Sequence, residues 1–400
     1  MHPHRATIVL GISFLAWALL CRGGTWEPVG QAEAQISISS TNFGDPLPGL
    51  NPAQLANFQA GKAEFEEVET TATGLGPTFN EAGCAICHAV PATGGARDLN
   101  EIRFGRTRRG IFDPLTALGG SLLQRQAIDP YCQEVIPRQA NTIAGRQTTH
   151  VFGAGLLEAV PDIELLAIAA AQAALKPDIA GRPHIVLEGS DDAYHVGRFG
   201  WKSQHALLVD FAADAYLNEV GITSPLFPTE NAPNGDLAKL AACDLVPDPE
   251  DPLGANVDDF EVFMRLLAPP PRLPQTLQTT IGFGITVAIG CADCHVPTLV
   301  TSQNSVQALS NKTLEPWSDF LLHDVGTGDG IAQGDARRNE LRTQPLWGVR
   351  VTAPYMHDGR SPTVADAILA HGGQATASRN AFKNLSSAQA QAVLAFLNTL

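Results

Sequence analysis

Gly83-Cys84-Ala85-Ile86-Cys87-His88 recurs later in the chain as Gly290-Cys291-Ala292-Asp293-Cys294-His295. Each stretch contains Cys-x-x-Cys-His, the attachment signature of c-type haem. Two thiols three positions apart lie on one face of a helical turn, so both can form thioethers to one porphyrin. The adjacent histidine then lies under the iron as its proximal ligand. Both copies follow a glycine and precede a nearby proline, Pro91 or Pro297, and the sequence therefore predicts two covalent haems.

A zinc ribbon and a redox dithiol are the alternative interpretations of these cysteines. A zinc ribbon usually places its two cysteine pairs about 15–20 residues apart, whereas half of the chain separates Cys87 from Cys291. A thioredoxin-like dithiol does not need a histidine directly after its second cysteine. Both alternatives therefore explain the pattern less well than two haem sites.

The composition is that of an ordinary globular protein. Of the 400 residues, 44% are apolar and 17% are charged, and the formal net charge is −15. Such an acidic chain is an unlikely nucleic-acid binder. An acidic surface favours a basic redox partner, although solubility alone explains such charge in most proteins.

Residues 1–34 have the pattern of an export signal. His2, His4 and Arg5 precede an apolar run over 7–21, and Ala32-Glu33-Ala34 resembles a cleavage site. The apolar run is too short to span a bilayer, and Cys21 lacks the preceding small residue that a lipoprotein needs. The sequence predicts a cleaved signal peptide, a periplasmic protein and no transmembrane anchor in the mature chain.

Cys132 and Cys243 remain once the four haem cysteines and Cys21 are set aside. An exported protein matures in an oxidising compartment, where such a pair forms a disulfide. The alternative is two buried free thiols.

Hydrophobic spacing and loop-forming residues predict the elements along the chain. Helices are predicted at 51–65, at 162–174 (mostly buried), at 203–217, at 258–267 and from Ser386, an N-cap with Gln389 at its third position, to the C-terminus. Loops or connections are predicted at 103–109, 176–195 and 226–256. The arginines of 103–109 are candidates for contacts with haem propionates, or for a solvated surface.

The order of several motifs is repeated in the two halves. Arg146, Phe152-Gly153 and His195-x-Gly197-Arg198 follow the first haem motif, and Arg342, Trp347-Gly348 and His357-x-Gly359-Arg360 follow the second. The sequence therefore predicts a duplicated haem module. The expected fold is mainly α, with two cytochrome c-like domains at 35–250 and 251–400 and a loop-rich insertion in the first.

These motifs resemble the bacterial di-haem cytochrome c peroxidase superfamily. Within it the chain is most similar to the di-haem oxidoreductases, also called thiol oxidoreductase-like proteins or di-haem peroxidases. The resemblance runs from about residue 60 to 400 and rests on both haem motifs and on Gly74-Leu75-Gly76-Pro77, Gly197-Arg198-Phe199-Gly200-Trp201-Lys202, Asn218-Glu219-Val220-Gly221-Ile222-Thr223, Leu321-Leu322-His323-Asp324, Arg342-Thr343-Gln344-Pro345-Leu346-Trp347-Gly348, His357-Asp358-Gly359-Arg360 and His371-Gly372-Gly373.

The resemblance implies an electron-relay haem in the C-terminal half and a reaction-site haem in the N-terminal half. His295 would be one axial ligand of the relay haem. The superfamily's distal ligand lies fourteen positions after the histidine of His-x-Gly, and here that position is His371. Met356 and Met264 are the competing ligands. The corresponding position of the first half is Val209, which cannot bind iron, so an open or weakly occupied site is expected there.

The resemblance also implies residues that act on substrate or between the haems. Glu219 occupies the place of the superfamily's acid/base glutamate, with His150, His184 and His205 as alternatives for a distal role or a switchable sixth ligand. Trp201 is a candidate electron conduit between the haems, or a core tryptophan. Thr352-Ala353-Pro354 matches the backbone ligands of a calcium ion.

The expected function is a peroxidase-like di-haem oxidoreductase. It would exchange electrons with a small redox partner protein of the cytochrome or cupredoxin type, and would act on peroxide or a related small substrate. The alternatives are a di-haem cytochrome that only transfers electrons and a haem enzyme that modifies a partner protein.

Overall fold

The part of the chain described by this computed structural model, residues 42–400, contains runs of α-helices and runs of mostly short strands. The α-helices are α1 (Pro52–Phe65), α2 (Cys84–Cys87), α3 (Ala154–Glu158), α4 (Asp162–Leu175), α5 (Leu208–Ala215), α6 (Leu237–Cys243), α7 (Ala255–Leu266), α8 (Leu277–Ala288), α9 (Val364–Ala370), α10 (Thr376–Lys383) and α11 (Ser387–Leu397). The strands are β1 (Thr78–Phe79), β2 (Asn100–Arg108), β3 (Ile111–Asp113), β4 (Leu122–Leu123), β5 (Gln126–Ala127), β6 (Thr142–Gln147), β7 (Ile185–Glu188), β8 (Ala193–Val196), β9 (Leu299–Val300), β10 (Thr313–Leu314), β11 (Leu322–His323) and β12 (Leu341–Arg342). The fold is therefore mixed, and the prediction of a mainly α protein was too simple.

Helices α1 and α7 form the centre of the larger hydrophobic core. The sequence Asn51-Pro52 starts α1 as predicted, because the Asn51 side chain caps the helix and the Gln54 side chain bonds back to Asn51. The ring centroids of Phe58 and Phe263 lie 5.4 Å apart, and those of Phe65 and Phe263 lie 4.8 Å apart. Helix α7 follows residue 250, so the predicted domain boundary would separate two helices that pack together. The two-domain division stays a prediction.

A second hydrophobic core surrounds the second haem motif. Helix α11 begins after Ser386, whose capping box with Gln389 was predicted, and it packs against α8. The two helices approach so closely at Gly282 that a Cβ there would collide with the carbonyl oxygen of Ala392. The rings of Trp317 and Phe396 lie 5.0 Å apart and close this core.

Strand β2 is the central strand of the largest sheet. It pairs antiparallel with β3, β4 and β6, and the register places Glu101 opposite Arg146. The prediction of a surface loop at 103–109 was therefore wrong. Charged side chains occupy inward positions of this strand and pair with one another, so the alternation of apolar and polar residues that marks a strand is missing.

Other element predictions were corrected by tertiary structure. Helix α4 is present, but Ile163 is 71% exposed, so the helix is buried on one face only. The predicted loop at 176–195 contains β7 and the start of β8, which form a hairpin. Helix α5 starts later than predicted and continues as one turn of π-helix, Tyr216–Val220. Helix α6 lies inside the predicted connection at 226–256.

The predicted signal peptide, residues 1–34, and Cys21 within it lie outside the described residues. Within residues 42–400, no helix is both long enough and apolar enough to cross a membrane.

Cys132 and Cys243 form a disulfide, in agreement with one of the two predicted alternatives. The bond joins positions 111 residues apart and connects the segment after β5 to the end of α6. Cross-linking so distant a pair restricts the unfolded chain strongly.

Removal of this disulfide should destabilise the fold without touching either haem motif. We expect the Cys132→Ala/Cys243→Ala double variant to lower the free energy of unfolding by about 2–4 kcal/mol. Urea unfolding followed by tryptophan fluorescence measures the change, with the untreated wild type as reference. Equal midpoints for the variant and the oxidised wild type would contradict the structural role.

Candidate haem and reaction sites

Both Cys-x-x-Cys-His motifs form a single helical turn that ends at the histidine. In the first, α2 presents Cys84 and Cys87, and His88 Nδ1 lies 3.1 Å from the carbonyl oxygen of Gly95. In the second, a 3₁₀ turn follows α8, and His295 Nδ1 lies 3.0 Å from the carbonyl oxygen of Trp317. A carbonyl can only accept, so each Nδ1 carries the proton. Nε2 is then left with a free lone pair, as iron ligation requires.

The pKa values of the thiols argue against a redox dithiol, and the positions of the potential metal ligands argue against a zinc ribbon. Burial raises the pKa of Cys84 and of Cys87 to about 12, and that of Cys291 to about 11. Redox-active dithiols have the opposite property, a lowered thiol pKa. Among residues 42–400, the cluster of potential metal ligands that contains a cysteine joins Cys294 to Asp319 and His323, and it includes neither Cys84 nor Cys87. Among the described residues, the cysteines of the two motifs therefore share no such cluster.

A cavity of about 360 Å³ opens beside the second motif and fits a large planar group. The residues around it include the predicted attachment cysteines, both predicted axial histidines and several motif residues, namely Cys291, Cys294, His295, His371, Trp201, His357 and Met356. The structure therefore brings His371 together with Cys291, Cys294 and His295, the residues that the resemblance assigns to the relay haem.

His371 has the properties expected of an axial ligand. It lies at the C-terminal end of α9, where its Nδ1 is 2.7 Å from the carbonyl oxygen of Ala367, so Nε2 is free. Burial lowers the pKa of His371, and burial together with the nearby His371 lowers the pKa of His295 to about 4. Both imidazoles are therefore neutral, the form that binds iron. Of the two rival methionines, Met264 is buried in the α7 core, while Met356 reaches the cavity.

The same cavity contains hydrogen-bond donors that have no protein acceptor. The side-chain nitrogen atoms of Gln344 and Trp347 are buried and have no hydrogen-bond partner in the described part of the chain. Arg342 is buried too, and its bonds go to the carbonyl oxygen of Gly200 and the side-chain oxygen of Gln344. Burial alone lowers the pKa of Arg342 to about 9, because no carboxylate compensates the charge. Unpaired buried donors are costly, so the cavity fits a group that carries anionic oxygens, such as the haem propionates.

Of the four arginines in 103–109, two are paired with carboxylates, and the other two, Arg108 and Arg109, are exposed. Arg103 is paired with Glu101 through two hydrogen bonds of 2.9 and 3.0 Å, and Arg106 is paired with Asp113 at 2.6 Å. In the sequence, Arg342 is recognisable only as the counterpart of Arg146 in the repeated motif. Its lack of a carboxylate partner depends on the fold, and no feature of the sequence indicated it.

Glu219 lies in a buried network of charged groups next to the first haem motif. Its Oε2 accepts a hydrogen bond of 2.7 Å from Asn80, and its side chain also bonds to Glu101. Burial and the neighbouring Glu101 raise the pKa of Glu219 to about 8. Arg103 and Arg146 act against burial and hold the pKa of Glu101 below its usual value. One carboxyl of the pair is therefore ionised at neutral pH and the other is largely protonated.

The backbone fixes Glu219 against the chain that enters the first haem motif. The carbonyl oxygen of Glu219 accepts hydrogen bonds from the backbone N–H groups of Asn80 (2.7 Å) and Glu81 (3.2 Å). The negative charge of Glu219 also contributes to the raised pKa of the Cys87 thiol. Glu219 stands in the π-helical turn Tyr216–Val220, a distortion that is frequent at functional sites.

The three alternative distal histidines differ in what their ring nitrogens contact. His184 uses both nitrogens, one 2.7 Å from the carbonyl oxygen of Lys202 and the other 3.1 Å from the backbone N–H of Asp335. His205 lies between Glu188 and Asp214, which raise its pKa to about 9. His150 bonds to the carbonyl oxygen of Trp347 at 3.2 Å, and its Nδ1 is buried without a partner. Of the three, His150 retains a free ring nitrogen at the cavity.

Of the remaining residues singled out in the sequence, Trp201, Thr352 and Pro354 border the cavity and Val209 does not. The indole N–H of Trp201 donates to the carbonyl oxygen of Gln147 at 2.8 Å, and its ring lies 6.2 Å from that of His357. Thr352 and Pro354 lie on the cavity wall. Val209, the position that corresponds to His371 in the first half, packs against the hydrophobic core on α5.

Comparisons with known proteins identify the family. A sequence model described as "Di-haem oxidoreductase, putative peroxidase" matches residues 133–400. The chain belongs to this di-haem oxidoreductase family. The resemblance seen in the motifs is thereby confirmed, and membership implies two haem groups. The matched range begins after the first haem motif. None of the curated proteins matches the chain.

Distant similarity extends to several solved structures. Hydrazine synthase of Kuenenia stuttgartiensis is 13% identical, with full coverage of both chains and a TM-score of 0.37. A MauG-like protein associated with microbial copper homeostasis is 15% identical, covers 90% of this chain and 93% of its own, and has a TM-score of 0.40. The di-haem peroxidase BthA of Burkholderia thailandensis is 15% identical, with coverages of 88% and 86% and a TM-score of 0.40. The family assignment rests on the sequence match alone.

Proposed function

We propose that this di-haem oxidoreductase is a peroxidase-like enzyme of the periplasm that carries both haems covalently. The first haem would be attached to Cys84 and Cys87 with His88 as proximal ligand, and would be the reaction site. The second would be attached to Cys291 and Cys294 and would relay electrons. The single observation that carries the enzymatic proposal is the buried Glu219–Glu101 pair beside Cys87.

The haem iron supplies the redox chemistry when bound, and the residues of the chain handle protons. Cleavage of the O–O bond of hydrogen peroxide needs a base that removes a proton from one oxygen and an acid that gives a proton to the other. The ionised carboxylate of Glu219 takes the first proton, and the resulting carboxylic acid gives a proton to the departing oxygen as water forms. The raised pKa of Glu219 makes its carboxylate a stronger base for the first step; the negative charge of Glu101 contributes to that rise, and the positive charge of Arg103 acts against it.

Different residues would set the coordination of the two irons. His295 and His371 would bind the relay haem from both sides, which keeps its coordination unchanged during electron transfer and lowers its potential relative to His/Met ligation. Val209 offers no ligand at the corresponding place near the first haem, which would leave room for peroxide. His150, with its free nitrogen, is the alternative sixth ligand there.

The groups around the cavity would hold the second haem and connect it to the first. Arg342, Gln344 and Trp347 would donate hydrogen bonds to its propionates. The propionate oxygens would be the acceptors that these buried donors lack. Trp201 would lie on the electron path. Calcium at the backbone oxygens of Thr352 and Pro354 is part of the same proposal, as is a basic cytochrome or cupredoxin that docks on the acidic surface.

The haem content follows directly from the two motifs. We expect two covalent haems per chain, and Cys84→Ala and Cys291→Ala should each lose one, because each removes a thioether. Intact mass and the pyridine haemochrome assay measure the number. A purified protein with bound zinc and no haem would contradict the proposal at its base.

Optical and EPR spectra test the proposed function most directly. A reaction-site haem without a strong sixth ligand should give a high-spin signal in at least one oxidation state, and stoichiometric peroxide should change its spectrum. A cytochrome that only transfers electrons would show two low-spin haems in both oxidation states and no response to peroxide. That result would reject the enzyme and leave the haem assignment standing.

A further inference from the structure

Three carboxylates converge at a place that the haem chemistry does not use. Asp248 and Glu250 stand on the loop that follows α6, and Glu230 comes from the segment before it. One oxygen from each side chain lies within 4.8 Å of the others. Glu230 is buried, with 6% of its surface exposed, while Asp248 is exposed. Together the three residues, called here the acidic triad, form a pocket of oxygen atoms at the surface.

The buried member of the triad has an oxygen without a partner. Glu230 Oε1 accepts a hydrogen bond of 2.7 Å from the backbone N–H of Asn231. Its Oε2 is buried and accepts no hydrogen bond from any residue of 42–400. A buried carboxylate oxygen that is neither solvated nor bonded is costly. A bound ligand that accepts electron pairs from oxygen, which means a cation, would remove that cost.

The charges around the triad favour a cation as well. The charged groups that shift the pKa of Glu230 are Glu250, Asp248 and Asp244, and all of them are acidic. Like charges that converge on one place repel one another, and a divalent cation between the three carboxylates would remove that repulsion.

We propose that Glu230, Asp248 and Glu250 bind one calcium ion. The side-chain donors are all oxygens, which selects a hard cation over zinc, copper or iron. The three carboxylates come from loops and differ in exposure, an arrangement that suits the irregular coordination of calcium by six to eight oxygens. Magnesium demands a near-ideal octahedron and usually binds one or two carboxylates with several waters. This site is distinct from the backbone site at Thr352 and Pro354 and does not depend on the haems.

The position of the triad would couple calcium to the reaction site. Glu250 Oε2 accepts hydrogen bonds from the backbone N–H (2.9 Å) and the hydroxyl (2.5 Å) of Thr223, four residues after Glu219. Glu250 also packs over Gly74, where a Cβ would come within 2.7 Å of its side chain. The Gly74 segment leads into the first haem motif. A calcium ion on Glu250 would therefore hold the Glu219 turn and the chain before Cys84 in place.

Calcium titration of the holoprotein tests the site. The haem-loaded protein is depleted with a chelator, freed of it and titrated with calcium chloride in a calorimeter. Glu230→Gln should weaken binding at this site by about 100-fold, because it removes one of three anionic ligands and the charge of the ligands sets calcium affinity. Asp178→Asn removes an exposed carboxylate elsewhere, on the turn Pro177–Ile179, and should bind like the wild type.

Thermal unfolding separates loss of the site from loss of the fold. Glutamine has nearly the size and shape of glutamate, so Glu230→Gln should melt at the temperature of the calcium-free wild type. Calcium should raise the melting temperature of the wild type by several degrees more than that of the variant, which lacks this site only. If Glu230→Gln does not fold, Asp248→Asn carries the same test, because that side chain is exposed. Equal calcium stoichiometry and affinity in the wild type and the variant would overturn the proposal, and so would tighter binding of magnesium than of calcium.

Discussion

Replacement of Glu219 by glutamine should slow the reaction with hydrogen peroxide by about 100-fold or more, the usual scale of general acid–base catalysis. Glutamine has the size of the protonated acid and keeps the contact with Asn80, but it can neither take nor release a proton. Both haems should stay bound, and the spectrum of the second haem should not change. Stopped-flow mixing of the ferric or mixed-valence protein with peroxide gives the rate constant.

Glu81→Gln is the matched control for this variant. Glu81 also lies near Cys87, where its charge contributes to the raised pKa of the thiol, and it is paired with Arg125 at 3.7 Å. Its replacement removes the same charge but leaves the Glu219–Glu101 pair intact, so the rate should stay close to that of the wild type. Equal slowing in both variants would mean that general electrostatics, and not proton transfer by Glu219, governs the reaction.

The pH dependence of the same rate constant provides an independent measurement. The first step needs Glu219 as the carboxylate, and its pKa is raised to about 8. Below that pH the reactive fraction falls about tenfold per pH unit, as expected for a single titrating base. The rate should therefore rise with pH and level off above about 8. Glu219→Gln should abolish this rise, and a flat wild-type profile would exclude Glu219 as the base.

The predictability of the site from sequence depends on whether its residues are near neighbours in the chain. The haem motifs and the cap at Ser386 were predictable, because each depends on a few consecutive residues. The partner of Glu219 was not predictable. Glu101 reaches it from β2, a strand whose inward charges hide the usual alternation, and only antiparallel pairing with β6 brings Arg146 to the same place. Burial then sets the pKa values, and burial is a property of the whole fold.

The duplicated motifs show a second limit of sequence reasoning. Arg146 and Arg342 hold the same place in the repeat, yet Arg146 is paired with Asp329 at 2.7 Å and Arg342 has no carboxylate partner. His195 lies half-exposed between Asp162 and Asp191, whereas His357 is buried at the cavity. Residues at equivalent positions of the repeat therefore form ion pairs in the first half and line the cavity in the second half. The difference arises from the residues that pack around them.

His371 and Met356 both border the cavity beside His295, so position alone does not decide which of them binds the iron, and both must be substituted. His371→Ala should convert the second haem from low-spin to high-spin, because it removes the imidazole whose Nε2 is free for iron. Met356→Ala should leave that haem low-spin. Optical and EPR spectra of the two variants measure the spin state. Added imidazole should restore the low-spin spectrum of His371→Ala, which distinguishes a lost ligand from a misfolded cavity. A high-spin second haem in Met356→Ala, with a low-spin one in His371→Ala, would instead identify Met356 as the ligand of the iron.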